Sequence, residues 1–234
     1  MRFRHNGRKI FVAVLLLLSG YLAFEAITFP RVEDLVKANP TTTAWMELRE
    51  AEARAGGRKP RRVQVWVPLN AISANLKNAV LIAEDAAFFQ HEGLDYNEIR
   101  EAIKINADKL EFARGASTIT QQLAKNLYLS PSKNPLRKIK ELVLTFSLER
   151  HLSKKRIFEL YLNVIEWGDG VYGAEAAART YFGKSCSILS EEEAAALAAV
   201  IINPRRYSPV EPGKRIRNRI GLILARMQKY RYYR

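Results

Sequence analysis

The sequence predicts a mainly α-helical protein tethered by an N-terminal transmembrane helix, and three observations carry that expectation. First, residues 10–29 are apolar with few interruptions, Ser19, Gly20, Glu25 and Thr28 among them, and Arg2, Arg4, Arg8 and Lys9 stand just before them. That run approaches the roughly 20 residues a membrane span needs. Second, residues 73–87, 95–110, 118–129, 135–152, 154–164, 171–182 and 191–202 follow helical periodicity. Third, Val63, Val65 and Val67 form the one clear period-2 run, so a short strand is possible there and helices dominate the rest.

Each element has its own grounds. The cations of residues 1–9 favour a cytoplasmic N-terminus and place everything after residue 29 on the periplasmic side. A cleaved signal peptide has a similar layout, but Ala23 and Ala26 lack the small-x-small spacing, and an uncleaved anchor is the preferred reading. Residues 30–65 read as a stalk: a capped polar helix over 43–54 ended by Gly56-Gly57, then the basic linker Lys59-Pro60-Arg61-Arg62. Residues 66–210 form the main domain, whose helices begin at Asp95-x-x-Glu98, Thr118-x-x-Gln121 and Ser190-x-x-Glu193 caps. Asn203-Pro204 stops the last of them. Residues 211–234 are a basic amphipathic tail, read either as a solvated helix closing the domain or as a contact for anionic headgroups.

Composition narrows the partners. A formal charge of +14 over 234 residues calls for an acidic partner: nucleic acid, an anionic membrane or a phosphorylated substrate. Export disfavours nucleic acid. Cys186 is the single cysteine, and His5, His91 and His151 are too scattered for zinc-ligand spacing, so neither an internal disulfide nor a structural zinc site is expected.

Three constellations could carry chemistry. Glu84-Asp85 closes an apolar helix and is followed by Phe88, His91 and Gly93. A carboxylate beside aromatic surface is desolvated, which raises its pKa toward that of a general base or acid, although such pairs are often only solvated. Next, residues 115–126 run from a glycine turn at Gly115-Ala116 into a helix start rich in hydroxyls and amides. There Thr118, Gln122 and Lys125 share one face while Ile119, Leu123 and Leu127 share the other. Such a wall suits a phosphate or sugar hydroxyls, and an ordinary N-cap explains Ser117 or Thr118 as well. Last, Arg137, Lys138 and Glu141 open a helix; the bland reading is a surface salt bridge, the functional one a pyrophosphate grip with Glu141 as a second carboxylate.

Taken together, the blocks Glu84-Asp85-x-x-Phe88-x-x-His91-x-Gly93, residues 115–126, and Arg137-Lys138-x-x-Glu141 resemble the bacterial peptidoglycan glycosyltransferase family. Two further blocks fit, Lys155-x-Ile157-x-Glu159-x-Tyr161-Leu162-Asn163 and residues 203–209. More narrowly, the chain resembles the monofunctional members, because it stops soon after the last block and no transpeptidase domain is expected. The resemblance implies a lysozyme-like domain with two lobes and a cleft close to the membrane. The implied substrates are lipid II and the growing glycan strand, joined by a β-1,4 link with inversion and release of undecaprenyl pyrophosphate. Glu84 would deprotonate the acceptor 4-hydroxyl. Lys125, Arg137 and Lys138 would stabilise the departing pyrophosphate. Glu141 would position those cations, the acceptor sugar or a divalent cation, Mg or Mn. Ser117, Thr118, Gln121 and Gln122 would line the cleft and bind sugar or phosphate oxygens. Asp85 and His91 would be orienting or structural residues, with His91 chiefly structural.

The remaining features are read as scaffold. Ile157, Phe158, Leu160 and Leu162 surround Glu159 and Asn163, and the alanine-rich 194–199 run is a buried core helix. Tyr161, Trp167 and Tyr172 are core aromatics more readily than sugar platforms. Two rivals to synthesis are a lysozyme-type hydrolase, whose substrate carries no pyrophosphate for those cations to meet, and a membrane-tethered scaffold without activity. Membrane lipids are expected partners, and the sequence leaves other cell-wall synthesis proteins open.

Overall fold

The computed structural model describes residues 2–109, 117–130 and 135–233, apart from some side chains, most of them in the first helix. It is mainly helical. The chain runs through α1 (Arg2–Ile27), α2 (Ala44–Ala55), β1 (Val63–Gln64), α3 (Ala74–Glu84), α4 (Tyr96–Lys109), α5 (Ile119–Tyr128), α6 (Pro135–His151) and α7 (Lys154–Val164). It continues through β2 (Glu166–Gly168), β3 (Val171–Tyr172), α8 (Ala174–Phe182), α9 (Glu191–Val200) and α10 (Lys214–Lys229). The expected turn at Gly115-Ala116 lies outside the described residues.

The caps read from sequence form as expected. Thr118 opens α5 and Ser190 opens α9, each in a complete capping box with Gln121 and Glu193. The Asp95 carboxylate accepts from the backbone N–H groups of Asn97 and Glu98 at 3.0 Å. These bonds satisfy first-turn donors that the helix itself leaves unpaired.

The core explains the chain order of the packing. The alanines of α9 let neighbouring helices approach closely, and α9 packs against both α3 and α10. Leu76, Val80 and Leu81 of α3, Leu197 and Val200 of α9, and Ile216, Ile223 and Met227 of α10 meet in one buried cluster. On its other flank α5 packs against α2, α6 and α7, so α3, α5, α6, α7 and α10 all border the region where the polar motifs gather.

Several expectations are corrected. Residues 30–65 do not stand away as a stalk, since Val32, Leu35 and Met46 are core residues and α2 packs on α5. The basic tail, by contrast, meets the first of its two readings, a helix closing the domain, because its apolar stripe is buried. The helix expected from residue 171 begins instead at Ala174: Val171 and Tyr172 are the central strand of a small sheet ordered β1-β3-β2. Val63 pairs with Val171 in parallel, and β2 pairs with β3 in antiparallel fashion. Gly173 makes the strand-to-helix switch at φ 84°, where a Cβ would lie 2.8 Å from the Asn163 carbonyl oxygen. Among the described residues no helix is long and apolar enough to cross a membrane.

Candidate active site

Glu84 is the last residue of α3 and its side chain is 11% exposed. Two donors fix the carboxylate. Gln122 Nε2 donates to Oε2 at 3.0 Å and Arg219 Nη2 donates to Oε1 at 2.9 Å. Burial nonetheless raises the Glu84 pKa above the ordinary carboxylate value; Gln122 and Arg219 oppose the shift and neighbouring Asp85 adds to it. Each oxygen accepts one of these bonds and retains a lone pair for another donor. A carboxylate held this way is a better proton acceptor than an ordinary solvated one.

Gln122 is itself oriented. The Tyr161 hydroxyl, from α7, donates to Gln122 Oε1 at 2.9 Å, which leaves the amide N–H₂ aimed at Glu84. Tyr161 is fully buried, and desolvation pushes its phenol well above the usual range, so it stays a neutral donor.

Asp85 has a different task from its neighbour. Its Oδ2 accepts from the Ile119 backbone N–H at 2.9 Å, which ties the end of α3 to the positive end of α5. His91 Nε2 lies 3.0 Å from Asp85 Oδ1, and the Gly93 N–H donates to His91 Nδ1 at 3.2 Å, an arrangement that assigns the ring proton to Nε2. Gly93 follows at φ 95°, where a Cβ would lie 2.9 Å from Thr145 Cγ2. Its carbonyl accepts from the Thr118 hydroxyl at 2.7 Å. Asp85, His91 and Gly93 are thus the joint that sets Glu84 against α5.

The two N-terminal amide and hydroxyl residues expected to line the cleft are corrected here. Thr118 and Gln121 are 3% and 4% exposed, with Thr118 Oγ1 and Gln121 Oε1 engaged in the capping box. Ser117 is exposed and Gln122 half-buried at the Glu84 carboxylate.

Lys125 comes next along α5, one turn beyond Gln122. Its ammonium lies 5.6 Å from the centroid of Trp45, a residue of α2. Burial lowers its pKa; Glu141 and Glu84 oppose that shift, while Arg137 and Lys138 reinforce it. One half-buried ammonium therefore lies within the field of both carboxylates and both motif cations. On α6, Glu141 is buried and accepts from Arg137 Nη1 at 3.2 Å and from Lys138. The expected Arg137–Glu141 pair exists, and burial of its acid distinguishes it from an ordinary surface bridge.

The fourth motif is scaffold. Asn163 exchanges two hydrogen bonds with the Val67 backbone at 3.0 and 2.9 Å. Glu159 accepts from the Leu69 N–H at 2.8 Å and from Arg156. Trp167 and Tyr172 are fully buried like Tyr161, so none of the three is a sugar platform.

For a divalent cation the donor sets are poorly suited. Asp85, His91 and Asp95 bring ligand-type atoms within 4.8 Å of one another. Asp85 and Asp95, however, already accept from backbone N–H groups, and His91 bonds Asp85. Glu141 faces two cations, which disfavour a third charge of the same sign.

Arg219, Trp45 and the Tyr161 hydroxyl are the site features that motif reading missed. Arg219 carries a legible signal: Ile216, Ile220, Ile223 and Met227 make a helical stripe, and Arg219 interrupts the same face.

Comparison of the sequence with known proteins identifies its family. A family model described as Transglycosylase matches residues 51–228. A biosynthetic peptidoglycan transglycosylase of Dechloromonas aromatica (strain RCB) is 49% identical over 189 residues, 81% of this chain and 82% of its own. One of Thiobacillus denitrificans (strain ATCC 25259 / T1) is 44% identical over 221 residues, 94% of each chain. Another, of Nitrosospira multiformis (strain ATCC 25196 / NCIMB 11849 / C 71), is 46% identical over 189 residues, 81% and 82% of the two chains. With the family model reaching from α2 into α10, past every motif and across both carboxylates, the chain belongs to the transglycosylase family.

Proposed function

We propose that this chain is a glycosyltransferase of cell-wall synthesis that polymerises lipid II into β-1,4-linked glycan strands, with undecaprenyl pyrophosphate as leaving group. The observation that carries the reading is the Glu84 carboxylate, its pKa raised by burial, together with the Lys125 ammonium, which lies in the field both of Glu84 and of the Arg137, Lys138 and Glu141 group. Glu84 takes the proton of the acceptor 4-hydroxyl as that oxygen attacks the donor's anomeric carbon. Lys125, Arg137 and Lys138 bind the pyrophosphate oxygens that gain charge as the glycosidic bond breaks. The lowered pKa of Lys125 fits this role, because a poorly solvated ammonium gains most from an arriving anion. Glu141 holds the two α6 cations in place, and Ser117 faces the substrate. A Mg or Mn ion accompanying the pyrophosphate would be held chiefly through substrate oxygens, and no step here depends on it.

The same reading places the chain at the cytoplasmic membrane, with α1 as its attachment and a two-lobed, lysozyme-like domain on the outer face. Phe11, Leu16 and Leu17 of α1 are exposed apolar side chains. On α6, Leu136, Ile139, Val143 and Phe146 form a second exposed apolar stripe at helical spacing. Lys140, between them, pairs with Glu25 near the end of α1 at 2.7 Å. A bilayer would cover both stripes and keep the site beside a substrate whose lipid tail never leaves it.

The test is polymerisation of purified lipid II in detergent, with products resolved on a gel before and after lysozyme digestion. Wild type should give lysozyme-sensitive polymer and Glu84→Gln none; polymer from both at equal rates would overturn Glu84 as the base.

A further inference from the structure

The geometry points to Arg219, on the C-terminal helix, as the residue that positions the Glu84 carboxylate and keeps it available as a base. This rests on the reading of Glu84 given above. Its grounds begin in the pattern of α10. Ile216, Ile223 and Met227 are buried, while Lys214, Arg215, Arg217, Arg226 and Lys229 are exposed. Arg219 lies three residues after Ile216 and four before Ile223, so it sits on the buried face where an apolar residue would extend the stripe. A helix with this many outward cations does not need another turned inward to stay soluble.

What Arg219 meets there is specific. Its Nη2 donates to Glu84 Oε1 at 2.9 Å and to the Ala83 carbonyl at 3.2 Å, gripping the last turn of α3 by side chain and backbone together. Its Nε is buried without a hydrogen-bond partner, and among the described residues Glu84 is the carboxylate it pairs with. The guanidinium is thus placed for one acid, even though one of its donors goes unmatched.

The charged and titratable groups around Glu84 come from every element packed on it. Asp85 adjoins it on α3, Gln122 and Lys125 face it from α5, the Tyr161 phenol approaches from α7, and Arg219 arrives from α10. Burial and Asp85 favour the protonated carboxyl; Arg219 is the cation in direct contact that favours the carboxylate. It also holds Oε1 so that the free lone pairs of the carboxylate point in a fixed direction.

The experiment measures kcat and KM for lipid II against pH in the full-length protein, for wild type, Arg219→Gln, Arg219→Lys and Glu84→Gln, with melting curves for each. Loss of the cation should move the acid limb of kcat/KM up by about one pH unit, as expected when a carboxylate loses an opposite charge in contact. The loss should fall on kcat more than on KM, and Arg219→Lys should bring the limb partly back. A folded Arg219→Gln protein with the wild-type limb overturns the proposal. So does a uniform loss at all pH values without rescue by lysine, which marks a packing role only. Arg219→Met, which keeps the aliphatic stem and removes the charge, replaces the glutamine variant should that fail to fold. A Glu84→Gln protein as active as wild type would instead overturn the reading of Glu84 itself, so the two failures are distinguishable.

Discussion

At the scale of single residues, Glu84 and Asp85 are neighbours with opposite assignments, and partners decide which is which. Asp85 is tied to a helix-start N–H and to His91. Glu84 meets one amide and one guanidinium in a site whose burial works against its charge. Because the Glu84 pKa is raised, its protonated form favours the folded state: that stabilisation is present at low pH and is lost as pH climbs through the raised value. Wild type and Glu84→Gln should therefore melt together in acid, with wild type losing ground as pH rises from the ordinary carboxylate value through the raised one in a thermal melt series. The polymerisation rate should run the opposite way, rising over the same interval as the base ionises. Lys125→Ala should lower kcat by about 10²- to 10³-fold, the range for removing one donor to developing charge, measured as initial rate at saturating lipid II. Tyr161→Phe isolates the amide orientation: it removes only the hydroxyl that fixes Gln122, and should reduce kcat with little change in KM.

At the scale of elements, α5 shows what pattern alone can and cannot deliver. Its limits, its cap and its two faces follow from Thr118, Gln121 and the Ile119, Leu123 and Leu127 spacing, all local in sequence. The direction of the cap side chains is not local. Thr118 turns toward the Gly93 carbonyl, 25 residues earlier, so a residue that reads as a sugar contact is a joint between elements. Thr118→Val should remove that bond and the cap at a cost of about 1–2 kcal/mol. Chemical denaturation would show it as a lower midpoint at constant slope. The β2 and β3 strands were illegible for a related reason: five residues are too short to show a period, and β1, which pairs with β3, lies about a hundred residues upstream. The tail was legible as an amphipathic helix, but which core would receive its stripe depends on α3 and α9.

At the scale of the whole molecule, chain order and site order diverge, and the site depends on closure of the fold from both ends. Trp45 from near the N-terminus lies by Lys125, and Arg219 from near the C-terminus grips Glu84. In the proposed reaction the motifs between them supply the reacting groups, while the flanking helices set the environment of those groups. The apolar stripe of α6 belongs to this scale too, because it shares a helix with Arg137, Lys138 and Glu141. If that helix rests on the bilayer, its cations are held at the depth where a lipid-linked pyrophosphate lies. Replacing Ile139 and Val143 with Ser removes apolar surface without touching the site. Each buried aliphatic side chain is worth about 1.5–3 kcal/mol, so the double variant should lose roughly tenfold or more of its rate on lipid II in vesicles. In detergent, where micelles adapt to either surface, its rate should match wild type. Equal rates in vesicles as well would show that α6 faces water during catalysis and that the substrate's pyrophosphate rises to the site.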